Sequence, residues 1–395
     1  MNRTRACIAC TNSKRRCDRE APSCRRCADK FIRCEYPRSS HQRQHKSNPS
    51  AGIWRRHDGC IKRLEFDRVT LDDALSLSPP SWTPPSRLVE DKVSTWFHNV
   101  GSWAIDICPT DGPANFASDL SKHYIAGIRM WLHDWARHTH CPFIHGRLFQ
   151  RDRLPTCLQD AYATLGCYLA KTSDNEDTIL QIVESRTQSL LLQQSIDESA
   201  LALASMDTKH HLARVQALFI YIFIGLFDGN IRQRSLADTQ ISNLLHWCDS
   251  LWESATLDAS TKALEPMLDP DNVEEPKEET ASVAWPDWVL SESVRRTWLV
   301  AKYTITIYFA MRDGKTVCPG AVLFTSRNRL WNSTTSAEWS KELRKRDCLV
   351  SNCHEADTLM QGEAASEVDD FGRHMFTILW GVDRIRRWVS DTREE

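Results

Sequence analysis

The sequence predicts a small cysteine-held unit at the N-terminus, then a linker, then an all-α body, and three observations carry that expectation. Six of the 15 cysteines fall within residues 7–34, a stretch too short to build an apolar core of its own. Residues 39–114 are polar and broken by runs such as Ser78-Pro-Pro-Ser-Trp-Thr-Pro-Pro-Ser86, which cannot continue a helix. Beyond them apolar residues recur at helical spacing, with almost no strand-like alternation. The resulting division is 1–38, 39–114 as a mostly flexible linker, and 115–395, with a disordered acidic loop expected at about 258–283.

Cys7, Cys10, Cys17, Cys24, Cys27 and Cys34 follow C-x2-C-x6-C-x6-C-x2-C-x6-C, so the second three repeat the first at an offset of 17 residues. Structural zinc takes four ligands and favours thiolate. One zinc leaves two of these thiolates unused, whereas two zincs need eight ligand positions from six sulfurs, so two cysteines must bridge. Duplication makes the bridging pair equivalent positions: 7 with 24, 10 with 27, or 17 with 34. Spacing leaves all three open.

Charge agrees with that reading. Two Zn2+ and six thiolates sum to -2, and Lys14, Arg15, Arg16, Arg19, Arg25, Arg26, Lys30 and Arg33 surround the cysteines. Residues 1–48 hold 13 Lys and Arg against 4 Asp and Glu, a balance of +9, while the remainder holds 37 against 48, or -11. A basic head on an acidic body is the electrostatic footprint of a chain that meets DNA at one end only. The competing disulfide framework needs an oxidising compartment, and the N-terminus has no apolar segment of a secretory signal. No membrane span is expected, because the longest apolar run, Ala217–Phe227, falls short of the ~18 residues required.

These cysteines, with Lys14, Pro22 and the closing Cys34-Glu35-Tyr36-Pro37, resemble the fungal binuclear zinc cluster transcription factors. The resemblance implies two zinc ions bridged by Cys7 and Cys24. It also implies short helices beginning near Cys10 and Cys27, and a first helix whose C-terminal end enters the major groove with Lys14 reading bases at CGG-type half-sites. The sequence departs from the family at Thr11 and Ser13, where basic residues are usual. Arg15, Arg16, Arg3 and Arg5 are the candidates to replace those contacts, chiefly to phosphates.

In the body, Leu120, Tyr124, Ile128, Trp131 and Trp135 form one helical stripe, and Val294, Trp298, Ala301, Ile305 and Phe309 another. Ser173-Asp-Asn-Glu176 reads as a capping box. Phe371, Met375, Ile378, Val382, Ile385 and Val389 make a heptad seam too short for a coiled coil, so packing on its own domain is expected ahead of dimerisation. His133, His138, His140, Cys141 and His145 are spaced too irregularly for a metal site. None of the common catalytic signatures is present, so the chain is read as a non-enzyme.

Cys141-Pro-Phe-Ile-His145, Leu154-Pro-Thr-Cys-Leu-Gln-Asp-Ala-Tyr162, Leu226-Phe-Asp-Gly229, Glu292-Ser-Val-Arg-Arg-Thr297, and Leu330-Trp331 with Trp339 resemble segments of short pathway-specific regulators of fungal secondary-metabolite gene clusters. That resemblance implies an effector or regulatory role for the body, and the whole chain is read as a nuclear activator working through the transcription machinery, as a homodimer or with a partner regulator. Rival readings are a repressor, or an enzyme or ligand-binding body targeted to DNA by the finger.

Overall fold

The computed structural model describes residues 8–13, 15–18, 24–30, 96–107, 118–149, 152–199, 206–268, 279–345, 348–354 and 356–392. Contacts divide the chain into two units, Met1–Gly52 and Ile53–Glu395. In the first unit lie helices α1 (Ile8–Asn12) and α2 (Arg25–Asp29). Both start two residues or more before the positions the resemblance implied, and each places its cysteine third. The helix bounds are related by the same 17-residue offset as the cysteines, so the duplication is structural as well as spatial in sequence. Among its described residues, Cys10, Cys24 and Cys27 are buried, with Ala9 and Cys17 against them. A core made of cysteines has almost no apolar burial to set against chain entropy, so its stability must come from metal.

The second unit is helical: α3 (Ser118–His138), α4 (Thr156–Leu169), α5 (Glu176–Ser199), α6 (Thr208–Phe227), α7 (Ile231–Thr239), α8 (Ile241–Leu268), α9 (Glu279–Asp313), α10 (Ser336–Lys345), α11 (Ala356–Gly362), α12 (Asp370–Trp380) and α13 (Val382–Asp391). One two-residue antiparallel pair joins β1 (Phe324–Thr325) to β2 (Val350–Ser351). At the centre stands α6, capped by Asp207, whose carboxylate accepts from His210 N at 2.8 Å. It is long and apolar enough to cross a membrane. Yet 89% of its apolar window is buried inside the unit, against α4, α5, α7, α8 and α9, as befits a core helix.

Both predicted stripes face this core: Tyr124, Ile128, Trp131 and Trp135 on α3, and Val294, Trp298, Ala301 and Ile305 on α9, are buried. Three boundaries differ from the sequence reading. The unit begins before residue 115, because Trp96, Phe97 and Trp103 lie in the core, where three aromatic side chains have more to gain than a linker's exposure allows. Both ends of the acidic loop expected at 258–283 are helical, since α8 runs to Leu268 and α9 starts at Glu279, and 269–278 lie outside the described residues. The C-terminal seam is not one helix: Gly381, at φ 81°, separates α12 from α13. Phe371, Met375 and Ile378 are buried within the unit, so that half of the seam faces its own core.

Three segments of the body resemblance are interlocked by polar contacts. Arg296 on α9 donates to Glu292 Oε1 at 2.9 Å and Asp369 Oδ2 at 2.6 Å, and to the carbonyls of Pro142 and Thr325, both at 2.9 Å. Its guanidinium lies over the rings of Trp331 and Phe371. Trp331 donates in turn to the Cys141 carbonyl at 2.9 Å. Burial pushes the Glu292 and Asp369 carboxyls above the usual range, and the Arg296 charge holds both down. Asp228 of a fourth segment accepts from Lys171 at 2.7 Å and Tyr168 at 2.9 Å, fastening the ends of α4 and α6.

Candidate metal centre and nucleic-acid interface

The thiols of the first unit meet across the repeat. Sγ of Cys10, on α1, and Sγ of Cys24, which precedes α2, are 3.7 Å apart, and with Cys17 the three sulfurs lie within 4.8 Å of one another. A disulfide would need about 2.0 Å. Two sulfurs on one tetrahedral zinc, at Zn–S of about 2.3 Å, stand about 3.8 Å apart. The spacing therefore fits a shared metal and not a bond. Cys10 and Cys24 are fully buried and Cys17 half-buried, so a charged thiolate there gains little from water and much from a cation. Cys27 is buried in the same small core. Cys7 and Cys34 lie outside the described residues.

The trio combines two cysteines of the first repeat with one of the second. A 10/27 bridge would bring Cys27 to Cys10 and Cys17, and a 17/34 bridge would bring Cys34. The 7/24 bridge that the resemblance implies would draw Cys10, Cys17 and Cys24 to one ion, and these are the three sulfurs that lie within 4.8 Å of one another.

Polar contacts then shape the surface beside the sulfurs. Ser13 Oγ donates to the Ala9 carbonyl at 2.7 Å, and Arg15 N donates to the Cys10 carbonyl at 3.0 Å, closing the end of α1. Ser13 thus serves helix termination, where the family usually has a basic residue. Asp18 accepts from the Arg25 backbone N–H at 2.9 Å, tying the two halves together. Arg15 and Arg16 are exposed. Arg16, Arg25, Arg26 and Lys30 line one shallow depression with Cys17 and Asp18, four cations against one acid. The sequence reading took Arg25, Arg26 and Lys30 only as balancing charge, although Arg26 directly precedes Cys27. Lys14, Arg3 and Arg5 lie outside the described residues.

The histidine group of the body has other work. His140 accepts from Gly146 N at 3.1 Å and pairs with Asn332 at 3.0 Å, while His145 accepts from Arg147 N at 3.1 Å. Burial and the neighbouring His140 push His145 down to about 3, and burial pushes the Cys141 thiol up to about 12. Among the described residues, Cys10, Cys17 and Cys24 are the set with the geometry to hold a metal.

Residues 5–43 match the family model of the fungal Zn(2)-Cys(6) binuclear cluster domain. Along 98% of its length, and 95% of the relative's, the chain is 26% identical to transcription factor gsfR2 of Penicillium aethiopicum. No solved structure matches the chain. At its N-terminus, then, the chain carries a fungal Zn(2)-Cys(6) binuclear cluster domain, built to hold two zinc ions, ahead of a mostly helical body.

Proposed function

We propose that the protein is a nuclear, sequence-specific DNA-binding regulator that activates genes of a fungal secondary-metabolite cluster, with no catalytic activity of its own. The observation that carries this reading is the sulfur trio across the repeat, set beside a depression lined by four basic residues. One zinc is held by Cys7, Cys10, Cys17 and Cys24, and the other by Cys7, Cys24, Cys27 and Cys34. The same +9 head supplies the cations that DNA binding needs. Support for the body as an effector comes from its segments resembling pathway-specific regulators and from the similarity to a fungal transcription factor over nearly the whole chain.

Lys14 reads bases, donating to the O6 and N7 acceptors of guanine in a CGG triplet, while Arg3, Arg5, Arg15 and Arg16 hold phosphates. A triplet recurs about once in 64 positions, too often to select a gene, so a second half-site is read by a second copy of the chain or by a partner regulator. The regulator then acts on the transcription machinery. Binding of the full-length, zinc-loaded protein to a CGG-containing duplex and a scrambled duplex tests the assignment. Lys14→Ala is expected to erase the ~1 to 3 kcal/mol preference per base contact and to leave non-specific binding. Arg15→Ala and Arg16→Ala are expected to weaken both duplexes and to lower the salt slope by about 0.9 each. If Lys14→Ala keeps full discrimination, the base-reading role belongs elsewhere. Transcript profiling after deletion and overexpression checks the sign, and a cluster whose transcripts rise on deletion marks a repressor.

A further inference from the structure

Arg26 makes a contact with one of the clustered sulfurs. Its Nη1 donates to Cys10 Sγ at 3.6 Å, reaching from the second repeat to a cysteine of the first. Arg25 and Arg26 are successive residues of a helix and so leave it about 100° apart. Arg25 is exposed and Arg26 half-buried. Adding 17 to Ala9 gives Arg26, so the first repeat carries a methyl where the second carries a guanidinium, and this contact has no mirror image from that position.

We infer that Arg26 is a positioning residue of the metal centre, which fixes the Cys10 thiolate and strengthens the hold on the zinc shared by Cys10, Cys17 and Cys24, and is not a DNA contact. The inference rests on the ligand assignment above. In a cluster of net charge -2, a sulfur that binds one zinc keeps more negative charge than a sulfur that bridges two, and Cys10 is such a terminal sulfur. A guanidinium beside it offsets that charge and presents a planar fork of donors, which pins the sulfur toward the metal. Groups that orient a metal ligand in this way commonly change affinity by about 10- to 100-fold when removed. The donated N–H also draws density from sulfur, so the thiolate is a weaker nucleophile toward electrophiles.

The test uses the full-length protein carrying two zincs, with Arg26→Met and Arg26→Lys. Zinc retained per chain is measured by elemental analysis across an EDTA series, and alkylation of Cys10 by N-ethylmaleimide is followed by peptide mass mapping. Arg26→Met is expected to release one zinc at roughly 10- to 100-fold lower EDTA than the wild type, keep the second longer, and expose Cys10 to faster alkylation. Arg26→Lys, which retains charge without the fork, is expected to fall between. The salt slope of DNA binding by fully loaded Arg26→Met should match the wild type. Unchanged zinc release, or unchanged Cys10 alkylation, overturns the inference. So does a salt slope lowered by about 0.9 with zinc retention intact, which makes Arg26 a phosphate contact. A wild-type protein that holds fewer than two zincs instead sinks the underlying ligand assignment, so the two failures are told apart.

Discussion

Arg295 and Arg296 adjoin in sequence and serve different sides of α9. Arg296 faces two buried carboxylates, Glu292 and Asp369, each side chain no more than 6% exposed. Arg295 donates instead to the Ser102 carbonyl at 2.7 Å, Ser102 Oγ at 2.9 Å and the Leu323 carbonyl at 3.0 Å, under the rings of Trp96 and Trp103. Removing one partner of a buried ion pair strands the other in low dielectric, a loss of about 3 to 5 kcal/mol. Arg296→Met is therefore expected to cost the body about that much in urea unfolding, whereas substitution of an exposed cation such as Arg386 should move it by roughly 0.5 kcal/mol or less. The segments that meet at Arg296 were recognisable in the sequence by resemblance alone. Their meeting was not, because Asp369 lies 73 residues from Arg296 and belongs to no periodic pattern that would bring it there. The cysteines were legible for the opposite reason: zinc chemistry demands a fixed ligand count at short spacing, and that demand is written in the local sequence.

Helical elements were legible wherever one face was apolar, as on α3 and α9, and illegible where a side chain chose among local partners. The box at Ser173 illustrates this. Glu176 should reach back to cap its helix, but it accepts from Lys171 Nζ at 3.0 Å, and the first helical N–H bond runs from Ile179 to the Asn175 carbonyl. Lys171 is held nearby by Asp228, a partner from another helix that no local pattern announces. The seam on α12 and α13 failed for a related reason, because a heptad pattern does not register a backbone turn at one glycine. Between α3 and α12 a second glycine is required: a Cβ on Gly127 would run into the buried ring of His374. His374 stacks on Tyr124, and burial pushes it down to about 4.

His145 and His374 are neutral in the fold and ordinary in the unfolded chain, where histidine titrates near 6.5. Their contribution is complete above that value. As pH falls below it, the unfolded chain takes up protons that the folded chain refuses, and each histidine removes about 1.4 kcal/mol per pH unit until about pH 4 for His374 and about pH 3 for His145. Urea unfolding of the body between pH 7 and pH 4.5 should show this decline, and His374→Gln should make it shallower without abolishing it, because His211 is likewise pushed down to about 4 by burial. A stability flat across that range would mean both rings are protonated in the fold.

At the scale of the whole chain, the two units depend on different chemistry. The first has a core of cysteines, and the second has an aromatic and aliphatic core centred on α6. Chelation is thus expected to unfold the first while leaving the second cooperative. Far-ultraviolet dichroism of the full chain in EDTA should lose little helix, and the thermal midpoint of the body should stay within about 2 °C. A body that melts with the metal would show that its stability is borrowed from the head.

The anchorage of Trp96–Trp103 carries a mechanical consequence. Tension travelling along the chain from its N-terminal side enters the described part of the second unit at Trp96. There Arg295 grips the Ser102 carbonyl from α9, and Trp252 Nε1 grips the Trp103 carbonyl at 3.1 Å from α8. The load is thereby shared between two long helices that pack on each other, α8 and α9. A pull on the head would have to shear charged and indole hydrogen bonds together with three buried aromatic rings before the first helix of the body could peel away.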